Sequence, residues 1–431
     1  MRSKLFNIAL CAAIAINGSP VFAQGRGAAG PAGAQPQAAP AEDPVKIMVG
    51  RLDLEKYKAT LKGLTQFGDR RQGTERNRKA LDWIEAQLKS YGCTNTERIT
   101  YTYPIPPPPN AQRGGGGGGG GRGGAGGRGT PPNPVIASGE VRAGPGGSRY
   151  RGITRGTGVN NDPMRQPNVA LRELNMEPAK DGERQDVYCT KIGTTQPQEM
   201  YIIGAHMDGH GWGEAANDNG SGTALVMELA RVFSSPDVQT DRSIRFALWN
   251  NEETGLNGAR AYAEQRVEKQ GIEDPPASGR YPEPKWLAMI QHDMMMWDHG
   301  MPRADGTWNP EQRPEADVNI EFQSASKFAE QAMKLAFFFR DANEKYATDY
   351  PAAVGPHMTN TDSGAFQDLV PSLSLRENER GMHTGAGWNP TWHQPIDVFT
   401  TFSDKDFRLG LNAAQTTLSA VALLSGAKLK K

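Results

Sequence analysis

Hydrophobic and polar positions along this chain change their period several times, and each change marks an element. Leu52, Tyr57, Leu61 and Leu64 recur near helical spacing. Thr74, just after Gly73, is placed as an N-cap. Leu81, Ile84, Leu88 and Tyr91 then repeat along one helix face that stops at Gly92. Residues 96–103, rich in Thr, Ile and Tyr, read as a strand. Short apolar runs with β-branched or aromatic residues follow at 186–192, 200–204, 243–250 and 286–293. Helical patterns at 222–233 and 256–266 lie between them, and further amphipathic helices are predicted at 328–339 and 407–424. Strands alternating with helices predict an α/β fold: a three-layer sandwich with a central mixed, largely parallel sheet flanked by helices.

Two stretches carry no such period. Arg2 and Lys4, the apolar run Leu5 to Ile16 and the small residues around Val21-Phe22-Ala23 read as a signal peptide over residues 1–23. The run is too short for a spanning helix, which needs roughly 20 apolar residues. Export to the periplasm or the medium, without stable membrane insertion after cleavage, is the expectation. Residues 24–43 hold almost no large apolar group and read as a disordered linker. Residues 104–165 form a Pro/Gly-rich low-complexity insertion, with prolines from 104 to 109 and a nearly pure glycine run from 113 to 129. That run satisfies GxGxxG trivially, but no strand leads into it and no amphipathic helix follows, so it is no nucleotide fingerprint. The rest, 44–103 with 166–431, reads as a single folded domain.

Charge narrows the partners. Forty-eight basic residues balance 48 acidic ones, so nothing electrostatic favours nucleic acid or an acidic membrane surface. Of three cysteines, Cys11 leaves with the signal peptide. Cys93 and Cys189 could pair across two antiparallel strands in an oxidising compartment or remain separate thiols.

All seven histidines fall between positions 206 and 393. His206 and Asp208 follow one apolar strand, and an imidazole whose other N–H meets a carboxylate is a common zinc ligand. Asp218 precedes a helix in Asn217-Asp218-Asn219-Gly220-Ser221-Gly222; taken alone it is a plain N-cap. Glu252 and Glu253 end a second strand as adjacent carboxylates, which repel unless a cation or proton intervenes. Asp293 ends a third strand, and His393 closes Asn389-Pro390-Thr391-Trp392-His393. Each has a bland reading as polar strand termination. Their succession at strand-end loops, where open α/β sheets bind ligands, points to a metal site.

At these residues the sequence resembles the di-zinc exopeptidases that include bacterial leucyl aminopeptidase, aminopeptidase S and glutamate carboxypeptidase, with glutaminyl cyclase as a relative. The segments GAHMD, NDNGSG, NNEETGLNGARAYA, QHDMM, TDSGAF and NPTWH follow the family order, and the similarity covers about residues 45–103 and 185–427. The resemblance implies two Zn2+ per chain, one on His206 and Asp293, the other on Glu253 and His393, with Asp218 bridging. It implies Glu252 as general base, Asp208 as the residue orienting His206, and a cis peptide at Asp218-Asn219. Peptide substrates cut at the N-terminal bond are expected. A carboxypeptidase-type di-zinc peptidase and a single-zinc glutaminyl cyclase-like acyltransferase are the alternatives. Trp392 stands where members often have Tyr, Ser363 where they have His, and His357 is a candidate substitute for an oxyanion-assisting Tyr. His210 and His383 are read as rim residues near substrate, His292 and His299 as structural.

Overall fold

Three neighbouring parallel strands, each made of one apolar run, form the middle of the sheet. The computed structural model describes residues 42–104, 159–297, 299, 318–356, 361–377 and 389–430. The strands are β1 (Thr96–Tyr103), β2 (Gly182–Lys191), β3 (Gln196–His206), β4 (Val238–Gln239), β5 (Arg242–Trp249), β6 (Lys285–His292), β7 (Val318–Phe322), β8 (Ala352–Gly355), β9 (Ser372–Arg376) and β10 (Lys428–Leu429). Eight of them form one sheet in the order β1-β2-β5-β3-β6-β9-β7-β8, and β10 pairs with β4 in a small ribbon. β5, β3, β6 and β9 run parallel, whereas β2 and β7 join antiparallel neighbours. The mixed, largely parallel sheet predicted from the pattern is the one observed.

The helices are α1 (Pro44–Val49), α2 (Leu54–Thr65), α3 (Glu75–Ser90), α4 (Val169–Asn175), α5 (Gly222–Phe233), α6 (Asn257–Arg266), α7 (Ala329–Tyr346) and α8 (Asp404–Ser425). Alternation along β5 divides the core, as strand geometry requires. Ile244, Phe246 and Leu248 point into the larger layer, with Leu225, Leu229 and Phe233 of α5 and Leu418 and Val421 of α8. Ala247 and Trp249 point into a thinner layer with Tyr262 of α6 and Phe366. α5 is buried on nearly all sides, which explains its apolar sequence. α8 starts on a capping box of Ser403 and Asp406 and stops at Gly426 in the left-handed region. Among the described residues no helix is long and apolar enough to cross a membrane.

Cys93 and Cys189 are disulfide-bonded, Cα–Cα 5.9 Å apart. The antiparallel register that sets Thr96 opposite Cys189 brings them together. β7, β8 and β9 escaped the sequence reading. They are four or five residues long, and charged Glu321 and Arg376 interrupt their apolar alternation. Those two side chains are buried and lie 3.5 Å apart, so each offsets the other's charge. The signal peptide, the linker before residue 42 and the glycine run lie outside the described residues, as do His357 and His383.

Candidate metal centre

Parallel pairing brings the carboxyl ends of β5, β3 and β6 side by side. His206 is the last residue of β3 and pairs in register with Trp249, the last of β5. Glu252 and Glu253 follow Trp249 within four residues, and Asp293 follows directly on β6. Asp218 sits in the turn leading into α5, and His393 comes from the loop between β9 and α8. All five predicted ligands, with Glu252, line one small cavity of about 140 Å³, completed by Gly255, Met294 and Trp392.

Distances within the cluster are short. His206 Nε2 lies 3.4 Å from Asp218 Oδ1 and 3.6 Å from Asp293 Oδ1. His393 Nε2 lies 3.1 Å from Asp218 Oδ2 and 3.0 Å from Glu253 Oε2. The two Asp218 oxygens therefore face different imidazoles. The Asp218-Asn219 peptide is cis. Asn251, Met294 and His393 all have positive φ, at 63°, 58° and 55°, a clustering of strained non-glycine backbone that accompanies functional sites.

The loops are fixed from behind. Asp397 accepts hydrogen bonds from the backbone N–H of Asn217 (2.8 Å) and Asp218 (3.1 Å). Asn219 donates from Nδ2 to His292 O at 2.8 Å, and its Oδ1 accepts from Gly222 N at 2.9 Å. A Cβ at Gly222 would run into Asn219 Oδ1 and His292 O, so only glycine fits there. Buried Arg70 donates to the carbonyls of Gly68, Met207, Glu214 and Ala215, tying down the loop after β3. Asn160 N donates to His393 O at 3.0 Å, and Gln166 donates to Trp212 O and Pro395 O. Residues 160–166, most of them inside the segment read from sequence as a low-complexity insertion, thus pack against the site loops.

The sequence reading aimed the Asp208 carboxylate at the His206 N–H. In the structure Asp208's main-chain oxygen is nearer to His206 Nδ1, at 3.1 Å, while its Oδ1 is 3.8 Å away and accepts from Glu252 N at 3.0 Å. Asp208 thereby links the His206 loop to the Glu252 loop. His292 is buried between Gly204 O and Thr417 Oγ1, and burial pushes its imidazole down to about 3. His299 lies 2.7 Å from Asp406. Arg376, which sequence reasoning missed, contacts Asp293 Oδ2 at 3.1 Å. Its one signal is an arginine ending the alternating Ser-Leu-Ser-Leu of the short strand β9. Asp362, within the segment TDSGAF, accepts from Gln291 Nε2 at 2.8 Å, and burial pushes its carboxyl up to about 8.

Charge in the cluster is unbalanced. Burial opposes ionisation of Asp218, but His206 and His393 outweigh it and hold the carboxyl well below its usual range. Burial likewise opposes Glu253, yet His393 outweighs it and takes the carboxyl to about 2. Burial holds Glu252 well above the usual range, and the Glu253 charge adds to it. Burial disfavours the charged His393 ring, but Glu253 outweighs this and raises it to about 10. Four carboxylates, those of Asp218, Glu252, Glu253 and Asp293, share the cavity with one permanently charged cation, Arg376, so once the imidazoles are neutral ligands the carboxylates outnumber their positive partners. Glu253 Oε1, Asp293 Oδ1 and His393 Nδ1 are also buried without a hydrogen bond. Buried polar atoms left unpaired need an ion or water. Imidazole nitrogens mixed with carboxylate oxygens suit zinc and neighbouring first-row ions better than calcium or magnesium. His206, Asp218 and Glu253 offer ligand atoms within 4.8 Å of one another, as do His210, Glu253 and His393. The residues fit a metal centre.

Comparison with known proteins agrees. The model of Peptidase family M28 matches residues 187–415. Aminopeptidase YwaD of Bacillus subtilis (strain 168) is 38% identical over 84 residues, 18% of this chain and 18% of that protein. Aminopeptidase NAALADL1 of Mus musculus is 30% identical over 248 residues, 54% of this chain and 30% of that protein. The matches span less than a third of either relative's length. The solved aminopeptidase from Aneurinibacillus sp. strain AM-1 superposes with a TM-score of 0.53 at 18% identity, over 90% of this chain and 97% of that one. That likeness speaks for the fold alone.

Proposed function

The chain belongs to peptidase family M28, and from that premise we propose that it is an exported, zinc-dependent aminopeptidase with Glu252 as general base. The observation that carries this reading is the convergence of His206, Asp218, Glu253, Asp293 and His393 from four separate connections around one cavity that Glu252 also lines. Relatives named aminopeptidases and the solved zinc aminopeptidase of Bacillus subtilis support it.

In this reading His206 and Asp293 would hold one zinc ion and Glu253 and His393 a second, with Asp218 shared between them. The split of Asp218's oxygens between the two imidazoles supports two ions rather than one. Zinc bound there supplies Lewis acidity, which polarises the scissile carbonyl and acidifies the attacking water. Glu252 is raised on its loop by the bond from its own N–H to Asp208. Its carboxylate takes the proton from the attacking water and hands it to the leaving amine. Asp208 therefore acts through backbone position, on both His206 and Glu252. The surplus of carboxylates attracts the free ammonium of a peptide N-terminus, which favours aminopeptidase over carboxypeptidase action. Export is supported by the signal-like residues 1–23 and by the Cys93–Cys189 disulfide, which suits an oxidising compartment.

The test is a panel of dipeptides and aminoacyl amides with free or blocked amino termini, assayed as purified, after chelation, and after zinc is restored. Hydrolysis only of free-amino substrates, lost on chelation and regained with zinc, is expected. Cleavage of N-blocked substrates with a free carboxylate would favour the carboxypeptidase reading. Cyclisation of N-terminal glutamine at one zinc per chain would favour the acyltransferase.

A further inference from the structure

His210 has a place in the cluster that its rim position in the sequence does not suggest. The loop after β3 is drawn back over the sheet end by Arg70, whose guanidinium holds Met207 O, Glu214 O and Ala215 O. This lays the His210 ring edge-on against His393, with centroids 4.0 Å apart and planes at 87°. His210 Nε2 is 3.1 Å from Glu253 Oε2, the same oxygen that lies 3.0 Å from His393 Nε2. Ligand atoms of His210, Glu253 and His393 all fall within 4.8 Å of one another. His210 Nε2 is shielded from solvent without a well-directed hydrogen bond, and Glu253 Oε1 beside it has none either. An imidazole nitrogen held this way against a carboxylate and a second imidazole is arranged as a donor to a shared cation.

We propose that His210 is a further ligand of the cation held by Glu253 and His393; the inference rests on the metallopeptidase reading above. The two metal positions then differ in kind. One has four protein donors: His210, His393, Glu253 and Asp218 Oδ2. The other has three: His206, Asp293 and Asp218 Oδ1. Four protein donors are the mark of closed, structural zinc positions, and three the mark of positions that keep a place for water or substrate. The His210 side therefore retains its ion as a fixture, and the His206 side exchanges its ion and meets the substrate.

Zinc-loaded full-chain protein, titrated with a competing chelator and analysed for bound metal, tests this. The wild type should release its ions in two separate steps. In His210→Ala the tighter step should weaken tenfold or more, because even losing a group that only supports a ligand costs about 10–100-fold in affinity. Cobalt(II)-loaded wild type gives an independent readout that does not require the variant to fold. Three exchangeable, paramagnetically shifted imidazole N–H resonances are expected, from His206, His210 and His393. Two ions with only two such resonances, or a His210→Ala curve that overlies the wild type, would overturn this inference alone. A wild type that takes up no metal would overturn it together with the proposed function.

Discussion

Two buried charged clusters in this molecule invite comparison. Behind the sheet, Arg245 donates to Glu283 at 2.5 Å and to Pro282 O, while Tyr262 and Trp286 donate to the same glutamate at 2.7 and 2.5 Å. Arg245 also donates to Thr190 Oγ1 and packs its guanidinium over the Tyr188 ring. Glu283 meets Arg245 at close range, with Arg266 Nε further off at 4.0 Å, and no polar side-chain atom of Arg245, Glu283, Tyr262 or Trp286 is left orphaned. At the sheet's carboxyl end, by contrast, Asp218, Glu252, Glu253 and Asp293 crowd against His206, His210, His393 and a single arginine, Arg376, with buried oxygens and ring nitrogens unpaired. Both clusters are largely removed from water, the second less completely because it lines a cavity. The first is closed on itself and is structural. The second is open, and only added positive charge closes it.

The comparison breaks most visibly at Asp218. Asp218→Ala removes the partner shared by His206 and His393, and the account expects turnover at background level and most bound zinc lost by elemental analysis. Retained zinc with normal turnover would erase the distinction between the clusters. Next in size is Glu252→Gln. It should keep the full zinc content yet lose about 10²–10⁴ in turnover, the usual worth of a general acid–base group, as steady-state kinetics would report. A parallel fall in metal content would instead make Glu252 a ligand.

The structural cluster should behave in the opposite way. Arg245→Met strands the buried Glu283 charge, and unfolding in denaturant should show a loss of about 3–5 kcal/mol. Zinc content per folded chain should not change. The smallest effect is expected at Asp397, which touches no proposed ion and holds the Asn217 and Asp218 N–H groups. Asp397→Asn should weaken zinc binding about 10–100-fold by competition titration, with little change in turnover at saturating zinc.

Much of the contrast was legible in the sequence, and unevenly so. The central strands announced themselves because parallel strands covered on both faces are continuous apolar runs, as in Tyr201-Ile202-Ile203. Helix α5 was read with its observed bounds, since Gly222 opens it and its apolar pattern runs without a break to Phe233. Asp293 was legible as a candidate because it stands at the carboxyl end of such a run, and Asp218 because it stands in the small-residue turn that opens α5. Arg376 and Glu321 were not. Each belongs to a short strand whose polar residues resemble a loop, and their pairing is a contact across 55 positions in sequence. His210 was seen but not weighted, because only the bend imposed by Arg70, itself 140 positions away, turns it toward Glu253. Local pattern carries the sheet and the strand ends; long-range pairing carries what surrounds them.

The most direct test is diffraction from zinc-soaked crystals at the zinc absorption edge. The account predicts two anomalous peaks beside Asp218, one within bonding distance of His206 and Asp293 and the other of Glu253 and His393. Zinc bound elsewhere, or no peak among these side chains in a fully folded molecule, would contradict it.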